Sequence, residues 1–267
     1  MKLTSLSFDP LSADNVKLHR FFRFPGSFHP PLIKHLIELH PECRSLADPM
    51  AGSGTLAIQG VIEGKEVFSM DIDPLSCLVT KVKSNPISRE RLRELMKEWT
   101  SSVDRIPLPT ESSIKRCLPV LDELTQTTHY LIPDKVYHWF DPYVVEILAK
   151  LLLALKTINT SPYEREILES IFASILRRVS RADLQPVSGL EVTKVMRKRL
   201  ENGLAFNPIM ELCKKGAQLI DGFRHYESLE NMGTSSVKLG DVKKDWELAS
   251  KKHSKFDLVI TLSLIHI

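Results

Sequence analysis

Apolar positions along this chain recur with two different spacings, and the change between them divides it into three stretches. From Leu32 to Leu39 the apolar residues fall on one helical face, with Pro30 and Pro31 at its start, where a fixed φ and a missing N–H are tolerated. Cys43 to Ala47 is a short apolar run of strand length, and it gives way to the helix-forming stretch Leu56 to Ile62. Val67-Phe68-Ser69-Met70 is a second strand-like run. Beyond it the pattern turns helical for a long way: Arg89 to Ser101, Ile114 to Thr125, and a helix opened by Asp141-Pro142 that runs to about Ile158. Ser161-Pro162-Tyr163-Glu164 then reads as a capping box with proline at the first helical position, leading into Arg165 to Val179. A further helix over Ile209 to Tyr226 places Ile209, Leu212, Ala217 and Ile220 at helical spacing. Few strand-like alternations appear between Arg89 and Tyr226, so residues 86–232 read as helical, set between the stretches 1–85 and 233–267.

The first strand-to-helix turn is Asp48-Pro49-Met50-Ala51-Gly52-Ser53-Gly54-Thr55. A carboxylate followed by two glycines spaced G-x-G lets the backbone come close to a bound nucleoside, since a side chain at either glycine would hold the ligand off. Seventeen residues after Gly54 the second strand reaches Asp71, within Asp71-Ile72-Asp73-Pro74. An acid at that place accepts hydrogen bonds from ribose hydroxyls. Asp73, directly before a proline, reads instead as a helix cap. A dinucleotide-binding turn would more often carry a third glycine, as G-x-G-x-x-G, which this one lacks.

D-P-M-A-G-S-G-T followed by M-D-I-D-P-L resembles the first two motifs of class I S-adenosylmethionine-dependent methyltransferases, in the branch that methylates exocyclic amines of DNA bases, with Met50 where that branch usually has an aromatic residue. The resemblance implies a Rossmann-like α/β sheet and S-adenosyl-L-methionine as cofactor. It places Asp48, Pro49, Ala51, Gly52 and Gly54 along the methionine and ribose side, and Asp71 with Ile72 at the ribose. Phe28-His29-Pro30-Pro31 resembles the family's segment beside the methionine end, which implies a contact from His29; an ordinary amphipathic helix start explains the same residues. Val237-Lys238-Leu239-Gly240-Asp241 looks like the third strand, ending in an acid that accepts from the adenine amine. A plain Gly-Asp turn is the other account of Asp241.

In that family a strand reading F-D-L-V-I-T is followed by Ser, Asn or Asp, then Pro-Pro and an aromatic residue, which orient the target amine and stack on a flipped base. Here Phe256-Asp257-Leu258-Val259-Ile260-Thr261 is followed by Leu262-Ser263-Leu264-Ile265-His266-Ile267. The catalytic residues, expected just after Thr261, are missing. The resemblance therefore implies a fragment cut at its catalytic loop, with L-S-L-I-H-I as translated adaptor sequence, and an inactive chain; a natural divergent C-terminus is the other account of the same residues.

Asp241 lies 170 positions after Asp71, where a minimal fold of this class needs one helix and short loops. Within this insertion Arg177, Arg178, Arg181, Lys194, Arg197, Lys198 and Arg199 stand against Asp183 and Glu191 in 23 positions. Such a local excess suits contacts with nucleic-acid phosphates; a solvated helix face, together with cations at a helix C-terminus for Arg177 and Arg178, is the other account. Ser180 to Glu191, with Pro186 and Gly189, reads as an ordered loop. Trp139, Phe140 and Tyr143 fit core packing or stacking on a base. His129 and His138 are given no role, and Trp99 and Trp246 are read as packing residues.

Composition narrows the class without naming an activity. A formal charge of +3 permits nucleic-acid binding and does not argue for it, while 43% hydrophobic and 26% charged residues suit a globular chain. Cys43, Cys77, Cys117 and Cys213 are far apart, which suits reduced structural cysteines and gives no zinc spacing. The most apolar helix, around Val144 to Leu155, carries Glu146 and Lys150, so no membrane span is expected, and the first ten residues have no signal-peptide core. The expectation is a cytoplasmic DNA amino-methyltransferase of restriction-modification type, without metal and of undefined oligomeric state, that meets DNA in preference to RNA. The alternatives left open are an RNA or tRNA guanine-amine methyltransferase and a non-catalytic nucleic-acid-binding relative.

Overall fold

The structure, a computed structural model, describes residues 17–22, 24, 26–106, 136–183, 192–251 and 256–262, with backbone only for 248–251. Two compact units divide the chain: Met1–Arg89 with Gln218–Ile267, and Glu90–Ala217. The second unit lies within the 86–232 span that reads as helical in the sequence.

In chain order the first unit contributes α1 (Pro30–Glu38), β1 (Ser45–Asp48), α2 (Thr55–Ile62), β2 (Glu66–Asp71) and α3 (Pro74–Ser84). The second holds α4 (Arg89–Val103, from Glu90 on), α5 (Val136–Trp139), α6 (Pro142–Thr157), α7 (Pro162–Leu176) with a 3-10 turn at Arg177–Val179, and α8 (Lys194–Glu201). Helix α9 (Pro208–Glu227) crosses the division after Ala217, and the first unit then adds β3 (Thr234–Leu239), α10 (Val242–Lys251) and β4 (Leu258–Val259).

All strand pairs are parallel, in the order β3-β2-β1-β4. This is a mixed α/β fold with a parallel sheet and a large helical insertion, consistent with the Rossmann-like class I methyltransferase arrangement. The central strands are apolar on both faces, as parallel strands covered on both sides must be. Leu46 and Val67 join one cluster with Ile33, Ile37, Leu56 and Ile260. Ala47, Phe68 and Met70 face the other way, onto Trp246 and Phe256. The strand period of two therefore feeds two separate cores, and the packing role read for Trp246 is the one observed.

Caps fix where the helices begin. Asp73 accepts from the Leu75 and Ser76 amides at 3.1 and 3.2 Å, with Pro74 at the first turn of α3. Asp141 accepts from Tyr143 ahead of α6. Ser161 and Glu164 form the reciprocal capping box of α7. In the helical unit Trp99 is fully buried on α4, and its indole N–H reaches the Leu151 carbonyl at 2.8 Å. The helix expected over Ile114–Thr125, residues 184–191 of the expected loop, and His129 lie outside the described residues.

Candidate cofactor site

With β1 in the middle and β4 on its far side, the strand order reverses between β1 and β4, and ligands of open parallel sheets bind beyond the carboxyl ends of the strands at such a point. A cavity of about 440 Å³ opens there. Its walls come from the loop after β1 (Pro49 to Ser53, and Thr55), the end of β2 (Asp71 and Ile72), the start of α10 (Gly240 to Lys243), the segment before α1 (Phe24, Gly26, Ser27 and Phe28), and Leu262.

The loop after β1 is held from below. Gly52 and Gly54 both have positive φ, 51° and 74°. The Ala51 amide donates to the Met70 carbonyl at 2.9 Å, and the Gly54 amide to the Ala51 carbonyl at 2.8 Å. From α3, the Thr80 hydroxyl donates to the Gly52 carbonyl at 3.2 Å, and the fully buried Lys83 ammonium donates to the Ser53 carbonyl. The two glycines serve different ends. A β-carbon on Gly54 would lie 2.7 Å from the Thr80 hydroxyl oxygen, whereas one on Gly52 would meet no atom within 4 Å. Gly54 lets α3 approach; Gly52 keeps the cavity open.

Asp71 ends β2 with its carboxylate turned back on the loop, accepting from the Gly52 amide at 2.7 Å and the Asp73 amide at 2.9 Å. A carboxylate has about four lone-pair directions, so acceptor capacity remains for a ligand hydroxyl. Asp241 lines the cavity and also accepts from the Lys243 amide at 2.9 Å at the entry to α10. Asp48 is 1% exposed. Its carboxyl accepts from the Met50 amide at 3.1 Å and bonds the Thr261 side chain, which ties the ends of β1 and β4 together. Burial pushes its pKa up to about 7, assisted by the neighbouring Asp71 charge and opposed by those two hydrogen bonds.

The cavity therefore gathers Pro49, Ala51, Gly52, Asp71, Ile72 and Asp241 from the residues singled out in the sequence, while Asp48, Gly54 and His29 lie outside its lining. The sequence reading omitted Phe24, Gly26 and Ser27, because nothing in their spacing marks a wall that only the chain's return to β1 creates. Lys83 was omitted as well: a lysine near a helix end reads as a solvated cation. The residues expected to carry catalysis, just after Thr261, fall where only Leu262 is described.

The seven basic residues of the insertion separate into two groups. Arg178 pairs with Glu211 at 2.5 Å, Arg181 with Asp141 at 3.3 Å, and Arg177 donates to the Asp183 carbonyl at 3.3 Å. Lys194, Arg197, Lys198 and Arg199 all stand exposed on α8. Of the aromatic trio, Phe140 is buried, Trp139 is half-buried and meets His138 edge-on, and Tyr143 is 57% exposed.

Among the described residues Cys43, Cys77 and Cys213 are free thiols. His40, Glu42 and Cys43 bring one ligand-type atom each within 4.8 Å of one another on the turn before β1. The Lys65 ammonium, donating to the Cys43 carbonyl at 2.6 Å, sets a positive charge beside that group and opposes a cation there. No helix of the described residues is long and apolar enough to cross a membrane.

The chain is similar to the type II methyltransferase M.MvaI of Kocuria varians, 26% identical over 255 residues that cover 91% of this chain and 52% of that protein. It is also similar to the type II methyltransferase M.MjaII of Methanocaldococcus jannaschii, 30% identical over 94 residues that cover 34% of this chain and 18% of that protein. The similarity to type II methyltransferases is thus at the level of a family, and the chain spans about half the length of the first relative and less of the second. No family model and no solved structure matches.

Proposed function

We propose that this chain holds S-adenosylmethionine in the cavity at the β1/β4 crevice and belongs to an enzyme that methylates an exocyclic amine of a DNA base, with the helical insertion meeting the nucleic acid. The observation that carries the reading is the convergence of the open space over Gly52, the Asp71 carboxylate and Asp241 on one cavity at the carboxyl ends of a parallel sheet. Its volume of about 440 Å³ suits a nucleoside-sized ligand. The similarity to two type II methyltransferases supports the same class of chemistry.

The residues present fit that cofactor. Asp71 has lone pairs left for ribose hydroxyls, Ile72 offers an apolar face that is 69% exposed, and Asp241 offers a carboxylate to the adenine amine. Pro49, Met50 and Ala51, with Phe24 and Phe28, wall the remaining side with apolar atoms and keep water from it. When bound, the cofactor supplies an electrophilic methyl group on a sulfonium. The contribution of this chain is to bind, orient and exclude water, which is where methyl transfer gains most from a protein. Asp48, bonded to both the Met50 amide and Thr261, fixes the position of the strand end that leads to the expected catalytic loop.

Calorimetric titration with S-adenosylhomocysteine tests the reading. We expect saturable binding by the chain and a loss of at least about tenfold in affinity for Asp71→Ala, which removes an acceptor shared between ligand and loop. No heat of binding to the folded chain, or equal affinity in the variant, would refute the cofactor assignment. For the substrate, methyl incorporation by the enzyme to which this chain belongs should favour DNA; transfer to tRNA alone would select the guanine-amine alternative.

A further inference from the structure

The seven basic residues form a single excess in the sequence, yet the structure uses them in two ways. Arg178 is consumed by Glu211, Arg181 by Asp141 and the Tyr137 carbonyl, and Arg177 by the Asp183 carbonyl. These three side chains stitch together elements of the helical unit.

Helix α8 is different. Thr193 caps it by accepting from the Met196 amide at 3.1 Å, and the same hydroxyl donates to the Asp183 carboxylate at 2.8 Å. Met196, 4% exposed, seats the inner face. At 100° per residue, Lys194, Arg197 and Lys198 share one side of the helix and Arg199 flanks it, so the outward arc carries four cations. None of the four has an acid partner among the described residues. Like charges at i, i+3 and i, i+4 oppose helix formation by a few tenths of a kcal/mol each, so this arrangement works against the isolated helix. A polyanion laid along the arc reverses the sign of that term. The arc carries no aromatic side chain on which an unpaired base could stack, which fits a duplex backbone better than a single strand.

We infer that α8 is the element that meets the phosphate backbone of duplex DNA, with Lys194, Arg197, Lys198 and Arg199 as the contacting cations and Arg177, Arg178 and Arg181 as internal braces. The inference rests on the nucleic-acid half of the reading above and is independent of the cofactor half. Fluorescence anisotropy of a labelled 30-base-pair DNA, titrated with the chain between 50 and 200 mM salt, tests it. Changing all four cations to glutamine should weaken binding by about tenfold or more, and should reduce the slope of log affinity against log salt by about 3 to 4, near 0.9 for each phosphate no longer neutralised. Arg178→Gln should leave that slope as it is. Relief of like-charge repulsion means that the quadruple variant should fold at least as well as the parent, which circular dichroism melting checks. An unchanged slope in the folded quadruple variant, an equal loss in Arg178→Gln, tighter binding of duplex RNA or single-stranded DNA, or no binding by the parent chain at 50 mM salt would each overturn the inference. S-adenosylhomocysteine titration of the same samples separates the two readings: loss of that binding alone strikes the cofactor assignment and leaves α8 in place.

Discussion

Two glycines two residues apart, both with positive φ, make opposite predictions when each gains a methyl group. Gly54→Ala places a β-carbon 2.7 Å from the Thr80 hydroxyl and 3.0 Å from its Cα, so backbone must move. Overpacking together with a strained φ should cost about 2–4 kcal/mol of unfolding free energy by urea titration. Gly52→Ala meets no protein atom and should cost only about 1–2 kcal/mol through its φ. Its methyl instead enters the cavity, and affinity for S-adenosylhomocysteine should fall by about tenfold or more. A Gly52→Ala variant that binds normally would mean that the ligand lies elsewhere. The G-x-G spacing implies a ligand's close approach at both glycines, and it could not show that a neighbouring helix comes close at one while open space lies over the other. Asp241 teaches the same lesson: its place after a strand was legible, whereas its second task, capping α10, depends on a helix whose polar residues gave no clear signal.

At the scale of elements, legibility followed burial. Strands β1 and β2 and helices α1, α2, α4, α6, α7 and α9 bury apolar faces, and their positions followed from periodicity to within a few residues. Strand β3 starts at Thr234 rather than Val237, because its first residues, Thr-Ser-Ser, pair by backbone with β2 and have no apolar pattern to display. Helix α8 shows little but charge, so it was legible only as a basic cluster. Helix α3 was announced by its Asp-Pro start, but its grip on the loop after β1 was not, because a helix's depth of burial is a tertiary fact. That grip makes a prediction at this scale. Lys83→Met removes a buried charge, which stabilises, and leaves the Ser53 carbonyl without this donor, which destabilises by about 1–3 kcal/mol, so net stability should move little. The loop loses one of its two ties to α3, and affinity for S-adenosylhomocysteine should drop several-fold more than stability explains. Calorimetry and urea titration on one preparation would show this; unaltered affinity would leave Lys83 a mere core residue.

For the whole molecule the measurable quantity is stability against pH, and two buried groups of the first unit drive it in opposite directions. His19 has both ring nitrogens shielded from water with no hydrogen-bond partner among the described residues, and burial, with the Lys83 charge adding to it, pushes its pKa down to about 3. The unfolded imidazole takes up a proton near pH 6.5 that the folded one refuses, so its contribution is whole above that pH and is lost as pH falls toward 3. Asp48, raised to about 7 by burial, does the reverse. The unfolded carboxyl ionises near pH 3.9 while the folded one stays protonated, so its contribution is whole below that pH and is lost as pH rises through 7. Between about pH 4 and 6.5 the two slopes, each near 1.4 kcal/mol per pH unit, cancel. Their joint contribution should be flat there, and single substitutions should expose each limb. Asp48→Asn keeps the shape and removes the falling limb, so its unfolding free energy should rise with pH across this window relative to the parent. His19→Leu removes the rising limb, and its stability should fall as pH increases from 4 to 7. Urea unfolding at half-unit pH intervals measures both. Curves for Asp48→Asn and the parent that run parallel from pH 4 to 7 would mean that Asp48 is ionised in the folded protein, and the tie it makes between the ends of β1 and β4 would then be that of a buried anion.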